Sequence, residues 1–519
     1  MATTTATSTY GLRVVLAERW FPLGVSACAV GLGAFLLASV STWPPHEDET
    51  LALFVGRDSL GGLFHTVHAE RGGAPLHFLV AWVVAHLGGG LTGLRLASAL
   101  FAVSSVPVLA ALSARLAGRQ VGLVAVALAS ASWLMLFYGV YGRMYSLFLL
   151  TSALSYLALL VAVEHRGRGR WALWALATLA AIASHPYGAL VLASQGVFVL
   201  ARARTTRAFC ALTIVTLAAT PFWLTDRVLA GRFDAGVGTG NHLPVFGYLT
   251  AAAGDASSGF LPVLVPVLAL AVFGWWRLRR LRPLAAFLVA CVVVVPALVL
   301  APARFDHAAS PETRHFVFVL PFFSTALAAG LVALFRRRVA LAGALVVLLA
   351  AEVGWAWHRT PALFEGESTA RIEARQAASA WLADTARPND VLFGYDPVFL
   401  EAWEQDPGFP ETVVPRADPK LALAELRSAS SLGRGVWVLD AGDSHNDPPR
   451  STIALQVPSE AFEGRVFGGY LVLRTRGPTR TPARYLSFAK SAMRLGTRLG
   501  IVADDRNLDT ILVAEERSR

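Results

Sequence analysis

The uncharged run LGVSACAVGLGAFLLASVST at residues 23–42, followed at once by WPPHEDE at residues 43–49, decides how this chain is read. An uncharged run of that length crosses the ~30 Å hydrocarbon core of a bilayer as a helix. The acidic run Glu47-Asp48-Glu49 therefore begins just beyond a membrane span, a depth at which ionisable groups are candidates for function. Onward from it come Arg57, Asp58, His65, His68, Glu70 and Arg71, then Gly72-Gly73-Ala74-Pro75 and a short apolar piece, Leu76–Leu87.

Composition agrees with that reading. The 519 residues are 55% hydrophobic and only 15% charged, with repeated apolar runs, which marks a polytopic membrane protein rather than a soluble one. The net charge of +10 sits on arginines in short loops between apolar runs, where membrane topology accounts for it and nucleic-acid binding does not. Cys28, Cys210 and Cys291 all lie in apolar segments, so no disulfide framework or zinc spacing is present. The first apolar run is read as a retained signal anchor.

Eleven spans are expected, at 21–42, 95–114, 119–137, 144–163, 171–184, 189–201, 208–225, 259–276, 284–301, 316–335 and 339–357. The leftover piece 76–87 is of a length that lies at the interface more often than it crosses. Charge decides its case. If 76–87 does not cross, one side collects 17 loop arginines and the other seven; if it crosses, 15 of those 17 move outside, against the rule that short arginine-bearing loops stay cytoplasmic. The N-terminal segment 1–20 is then inside and the C-terminus outside. Glu47–Glu49, the stretch Tyr138–Tyr145, Ser184–Tyr187, the loop 226–258 and Arg304–His315 share the outer face, with charges held at span ends.

Residues 358–519 differ in character. Short apolar runs at Asp390–Phe393, Gly435–Leu439 and Tyr470–Leu473 read as strands, and helical spacing at Ala374–Leu382 and Lys420–Ser430 lies between them. A soluble extracytoplasmic α/β domain is expected, closed by amphipathic helices at 483–499 and 505–516. The Thr-rich start, Ala2–Thr9, is expected to lack structure.

Several motifs occur in a telling order: Asp48-Glu49 after the first span, Pro75-Leu76-His77-Phe78 later in the same loop 43–94, Arg95–Phe101 opening the next span, Arg143-Met144-Tyr145, and Arg314-His315-Phe316 before Leu320-Pro321. In this order they resemble the GT-C glycosyltransferases, nearest the protein O-mannosyltransferase and lipid A aminoarabinose transferase branch. The resemblance covers about 45–335. It implies a multi-pass enzyme of the cell membrane whose transferase domain is 21–357. Such an enzyme moves a sugar, mannose or another hexose or pentose, from a polyprenyl-phosphate carrier to an extracytoplasmic acceptor, inverting the anomeric centre. It also implies Asp48 as general base with Glu49 beside it, Arg143 and Arg314 on the donor phosphate, and His77, Arg95, Tyr145 and His185 as further substrate contacts. Relatives often carry an acid two residues before Arg-Met-Tyr, where this chain has Tyr141.

Plainer readings stand beside each role. Adjacent acids form solvated loops, Arg143 and Arg314 snorkel as interfacial anchors, and His185 bonds to backbone where Pro186 breaks a helix. Glu47 is expected on the more solvated side, mattering less than Asp48. His65, His68 and Glu70, or His46 with Glu47 and Asp48, fit no strong zinc pattern, so no metal or other cofactor is expected. A transporter or flippase for a lipid-linked or anionic substrate, and an inactive membrane scaffold, are the alternatives to an enzyme.

Overall fold

A computed structural model describes residues 6–165, 167–232, 245–305, 313–416, 418–440 and 460–499. The chain forms two compact units. The first takes the residues up to Trp43 and most of Ser59–Gly366; the second takes Pro44–Asp58, a short piece from Ala230, and the chain from Glu367. The loop 43–94, expected as one element of the transmembrane domain, is thus divided. The expected boundary at 357/358 falls instead at Gly366/Glu367. The 505–516 helix and parts of the loops 226–258 and 304–315 lie outside the described residues.

The first unit is a helical bundle. Among the described residues six helices are long and apolar enough to cross a membrane: Arg19–Ser39, Gly90–Ala117, Tyr145–His165, Leu261–Leu281, Thr313–Leu334 and Arg338–Arg359. Two expected spans turn out to be bent pairs, Arg119–Ala131 with Trp133–Val140 at 56° and Thr206–Ala218 with Thr220–Leu229 at 46°, which brings the number to eight if each is one span. Pro75–His86 is a helix of 12 residues, about 18 Å long at 1.5 Å per residue, too short for the hydrocarbon core. The first helix begins at Ala6, within the stretch expected to lack structure.

Lipid supplies no hydrophobic drive between helices, so close backbone approach and polar contacts must hold them. Gly274 and Gly330 provide the approach. A Cβ on Gly274 would strike the Ala326 carbonyl and lie 2.6 Å from the Gly330 amide, so helices Leu261–Leu281 and Leu320–Leu334 meet backbone to backbone. Polar contacts join three others. Gln195 donates to Ser155 Oγ at 2.7 Å and accepts from Trp174 Nε1 at 2.8 Å, while Ser155 and Thr178 lie 2.8 Å apart. These bonds tie Tyr145–His165, Arg168–Ser184 and Gly188–Arg202 together in fixed register. One charge departs from the expectation that charges stay at span ends. Glu352 lies two turns inside Arg338–Arg359 and is buried.

The second unit is built on a five-stranded sheet: β1 Val391–Phe393, β2 Thr412–Val414, β3 Gly435–Asp440, β4 Phe462–Phe467 and β5 Tyr470–Thr475, in the order β2-β1-β3-β5-β4. β2, β1 and β3 run parallel; β5 is antiparallel to β3 and β4, and Gly468-Gly469 turns the β4–β5 hairpin with Gly468 at φ +57°. Side chains alternate between faces. Val436, Val438 and Val472 pack on Thr369–Thr385 and Pro397–Gln405, whereas Trp437, Leu439 and Leu471 pack on Pro419–Ser428 and Pro482–Arg498. With both faces covered, β1 is apolar throughout and β3 is buried up to its last residue, Asp440.

The helix Glu47–Gly56 belongs to this second unit. Leu51 and Phe54 pack into the face that holds Tyr395 and Trp403, with the Phe54 ring 4.8 Å from that of Trp403. Just after β1, Asp396 caps Pro397–Gln405 by accepting from the Val398 amide at 2.9 Å. Burial pushes the Asp396 carboxyl up to about 7, a rise that Arg416 restrains and that Asp440 and Glu47 add to. An acid raised in this way holds its proton more tightly in the folded state, so its contribution to stability is lost as pH climbs from the ordinary value near 4 through about 7. Asp396→Asn keeps a capping oxygen and removes the titration. The variant is therefore expected to gain in thermal stability over the parent protein between pH 4.5 and pH 8 in matched detergent melts, and a constant difference across that range would contradict it.

Candidate active site

The residues singled out from sequence fall into both units: in the first, several lie where helices break, and in the second, the acids lie where a helix begins. In the first unit, the pair Trp133–Val140 and Tyr145–His165 is separated by a turn that carries Arg143. The Ser146 hydroxyl donates to the Tyr138 carbonyl at 2.6 Å and so holds the turn closed. Arg168–Ser184 ends at His185, where Pro186 interrupts the helix, and Thr313–Val319, a 3-10 turn, carries Arg314 and His315.

These three breaks converge. The rings of Tyr145 and His185 are 5.7 Å apart, those of His185 and His315 5.3 Å, and those of Tyr187 and His315 4.8 Å. Phe148 stacks on His185 at 4.8 Å, and Tyr138 closes on Tyr145 at 4.6 Å. The Arg314 guanidinium lies over the Tyr145 ring at 5.5 Å. His185 Nδ1 accepts the Tyr187 amide at 3.0 Å, so that nitrogen bears no proton and Nε2–H is left as the donor. Burial first, then the charges of Arg314 and Arg143, pushes the His185 imidazole down to about 3. The ring is neutral, and both arginines act on the same place. A guanidinium over Tyr145 next to a neutral imidazole, with a second arginine in the adjoining turn and aromatic rings around them, makes a setting for an anion with more than one oxygen.

Other expected contacts are placed differently. Arg95 is buried and donates from Nη1 to the carbonyls of Val40 at 3.0 Å and Trp43 at 2.6 Å, satisfying the end of the first span. His77 is buried near the start of Pro75–His86, a helix that packs on Gly90–Ala117 and Arg168–Ser184. His65 and His68 border an apolar cavity of about 390 Å³ whose lining includes Phe64, Pro75 and Phe222. Among the described residues no three His, Cys, Asp or Glu side chains converge as a metal site requires. Tyr138, Tyr187 and His315 lie in stretches that the sequence places on one face, but it assigns them no role there.

In the second unit the three acids of Glu47–Gly56 are sorted by their partners. His46 is the N-cap, its Nδ1 accepting the Asp48 amide at 3.1 Å, and Glu49 completes a capping box by accepting the His46 amide at 3.1 Å. Glu49 is fully buried. Glu47 is about as exposed as Asp48, at 35% of its side chain, yet it is tethered: its Oε1 accepts the Tyr395 amide at 2.9 Å. The Asp48 side chain remains 31% exposed, 3.9 Å from an imidazole nitrogen that is already an acceptor.

Comparison with known proteins supports the resemblance carried by the motifs. Residues 72–225 match the family model described as dolichyl-phosphate-mannose-protein mannosyltransferase. No curated protein matches by sequence. Among solved structures, ArnT from Cupriavidus metallidurans bound to undecaprenyl phosphate is similar with a TM-score of 0.52 at 15% identity, over 88% of this chain and 98% of that one. The oligosaccharyltransferase AglB of Archaeoglobus fulgidus, in complex with an inhibitory peptide and a dolichol-phosphate, gives 0.50 at 11% identity over 88% and 74%. The mycobacterial arabinofuranosyltransferase AftD gives 0.52 at 17% over 88% of this chain and 41% of that one. The chain has the fold of these membrane glycosyltransferases, and its segment 72–225 carries a mannosyltransferase-type sequence as well.

Proposed function

We propose that this protein is an inverting membrane glycosyltransferase that takes a sugar from a polyprenyl-phosphate carrier and passes it to an acceptor outside the cytoplasm, without a cofactor. The observation that carries this reading is the meeting of the helix breaks that bear Arg143, His185 and Arg314, with the His185 ring 5.3 Å from His315 and the Arg314 guanidinium over Tyr145. The matches to proteins holding undecaprenyl phosphate and dolichol-phosphate supply the lipid carrier as the anion that would fill it. The arginine distribution of the loops supports a cell-membrane enzyme with this cluster on the outer face, in which shorter helices such as Gly188–Arg202 and Pro283–Leu298 complete the spans.

In the proposed step the acceptor hydroxyl oxygen attacks C1 of the sugar from the side opposite the phosphate. The new C1–O bond forms as the bond from C1 to the phosphate oxygen breaks, and polyprenyl phosphate leaves with the electron pair. Arg143 and Arg314 offset the charge that grows on the leaving phosphate, with His185 Nε2–H and Tyr145 beside them. The acceptor proton passes to the Asp48 carboxylate. Asp48 is assigned this role because it matches the family position, and because Glu49 is turned to its own helix end and Glu47 to Tyr395. His77 and Arg95 act behind the site, shaping the first loop and the end of the first span.

Two outcomes test the assignment. Arg143→Lys and Arg314→Lys each place a point charge where a fork is needed, so each is expected to weaken polyprenyl-phosphate binding about 10-fold or more in a direct titration. Unchanged affinity in both would return them to interfacial anchors. Asp48→Asn keeps shape and removes the base, and is expected to slow transfer of radiolabelled sugar by about 10²-fold or more with carrier binding intact. Transfer at the parent rate by that variant would remove Asp48 from the mechanism.

A further inference from the structure

Glu47 stands beside the proposed base yet points into the sheet domain, and the geometry around it is specific. Its Oε1 accepts the Tyr395 amide at 2.9 Å, in the turn that leaves the carboxyl end of β1. Arg416, just past β2, brings Nε to 3.8 Å from the same oxygen and Nη2 to 3.5 Å from Asp396 Oδ2. Gly394 makes this approach possible. It adopts φ +81°, and a Cβ there would lie 2.8 Å from Glu47 Oε1 and collide with Arg416. Further along the helix, Phe54 packs on Tyr395 at 5.5 Å and Trp403 at 4.8 Å, and the Arg57 guanidinium sits over Trp403 at 5.8 Å. Glu47–Gly56 is therefore gripped at its first turn, its middle and its end by one face of the sheet domain.

We propose that Glu47 is a positioning residue for Asp48, and that the C-terminal sheet domain is part of the catalytic apparatus because it holds Glu47 through the Gly394-Tyr395 turn and Arg416. Successive residues of a helix are about 100° apart, so fixing the Glu47 side chain fixes the direction in which its neighbour projects. Capping by His46 and Glu49 sets where the helix begins; the Glu47 contact sets how it is rotated. Rotation matters more than stability for a general base, since a displacement of about 1 Å at a reacting group costs up to 10²-fold in rate. This inference rests on the reading of Asp48 as the base.

The test is a double-mutant cycle in the full-length protein, read as kcat and donor KM for sugar transfer. Glu47→Ala is expected to lower kcat about 10-fold or more with donor KM unchanged. Glu47→Gln, whose amide oxygen still accepts from Tyr395, is expected to recover most of that loss. In an Asp48→Asn background, Glu47→Ala is expected to add nothing, because there is no base left to misplace. Gly394→Ala, which presses a methyl group onto the same carboxylate from the domain side, should repeat the pattern should Glu47→Ala fail to give a cooperative melt. A parent-like kcat for both Glu47→Ala and Gly394→Ala, or the same loss in both backgrounds, overturns the inference. Asp48→Asn at the parent rate overturns the base assignment and the inference together; a slow Asp48→Asn with a fast Glu47→Ala overturns the inference alone.

Discussion

A backbone amide or carbonyl inside hydrocarbon has no water to bond with, so a chain that breaks a helix there must cover the exposed groups with its own side chains. That constraint runs through the first unit. Arg95 covers the carbonyls of Val40 and Trp43, Ser146 covers that of Tyr138, Ser98 reaches that of Arg143 at 3.4 Å, and the His185 ring takes the Tyr187 amide. The breaks are also where Arg143, His185 and Arg314 sit. The polar groups that satisfy an interrupted backbone and the polar groups that can meet a phosphate thus share the same short stretches. The plainer reading of His185, a bond to backbone at a helix break, is correct and compatible with a role in the site: Nδ1 does the structural task and Nε2–H is the donor left over.

The second unit solves a different problem, that of giving three adjacent acids three different tasks. Charge alone cannot separate Glu47, Asp48 and Glu49. Partners do: Glu49 turns back to cap its helix, Glu47 reaches the turn after β1, and Asp48 lies between them with a partly exposed carboxylate. The parallel strands matter here because the turn that receives Glu47 lies at the carboxyl end of β1, beside a neighbouring strand that delivers Arg416. Crevices at carboxyl strand ends are the usual ligand sites of such sheets. Here that position is taken by a side chain of the same protein.

Much of this was legible in the sequence. Hydropathy locates the helix Tyr145–His165 within two residues of the expected 144–163, and short apolar runs between turn residues find β1, β3 and β5. What hydropathy cannot carry is direction. The bends at Ser132 and Ala219 leave apolar composition unchanged, so two spans expected straight are broken, and the eleven expected spans stand against six to eight long helices among the described residues. Nor does a linear pattern reveal which of several arginines is spent inside the fold; Arg95, expected to open a span, lies inside the helix Gly90–Ala117 and bonds to carbonyls. Tyr138, Tyr187 and His315 join the site through tertiary contact, and their one sequence signal is nearness to Pro186, Arg143 or Arg314. Likewise the bond between Glu47 and the Tyr395 amide, 348 positions away, has no signal in the linear pattern.

The proposed displacement, in which the acceptor oxygen attacks C1 as the phosphate leaves, forms no covalent sugar intermediate. The most direct measurement of that account is the anomeric configuration of the sugar before and after transfer, followed by NMR with a polyprenyl-phosphate donor of defined configuration. The account predicts inversion at C1 in the first-formed product. Retention of configuration would contradict it.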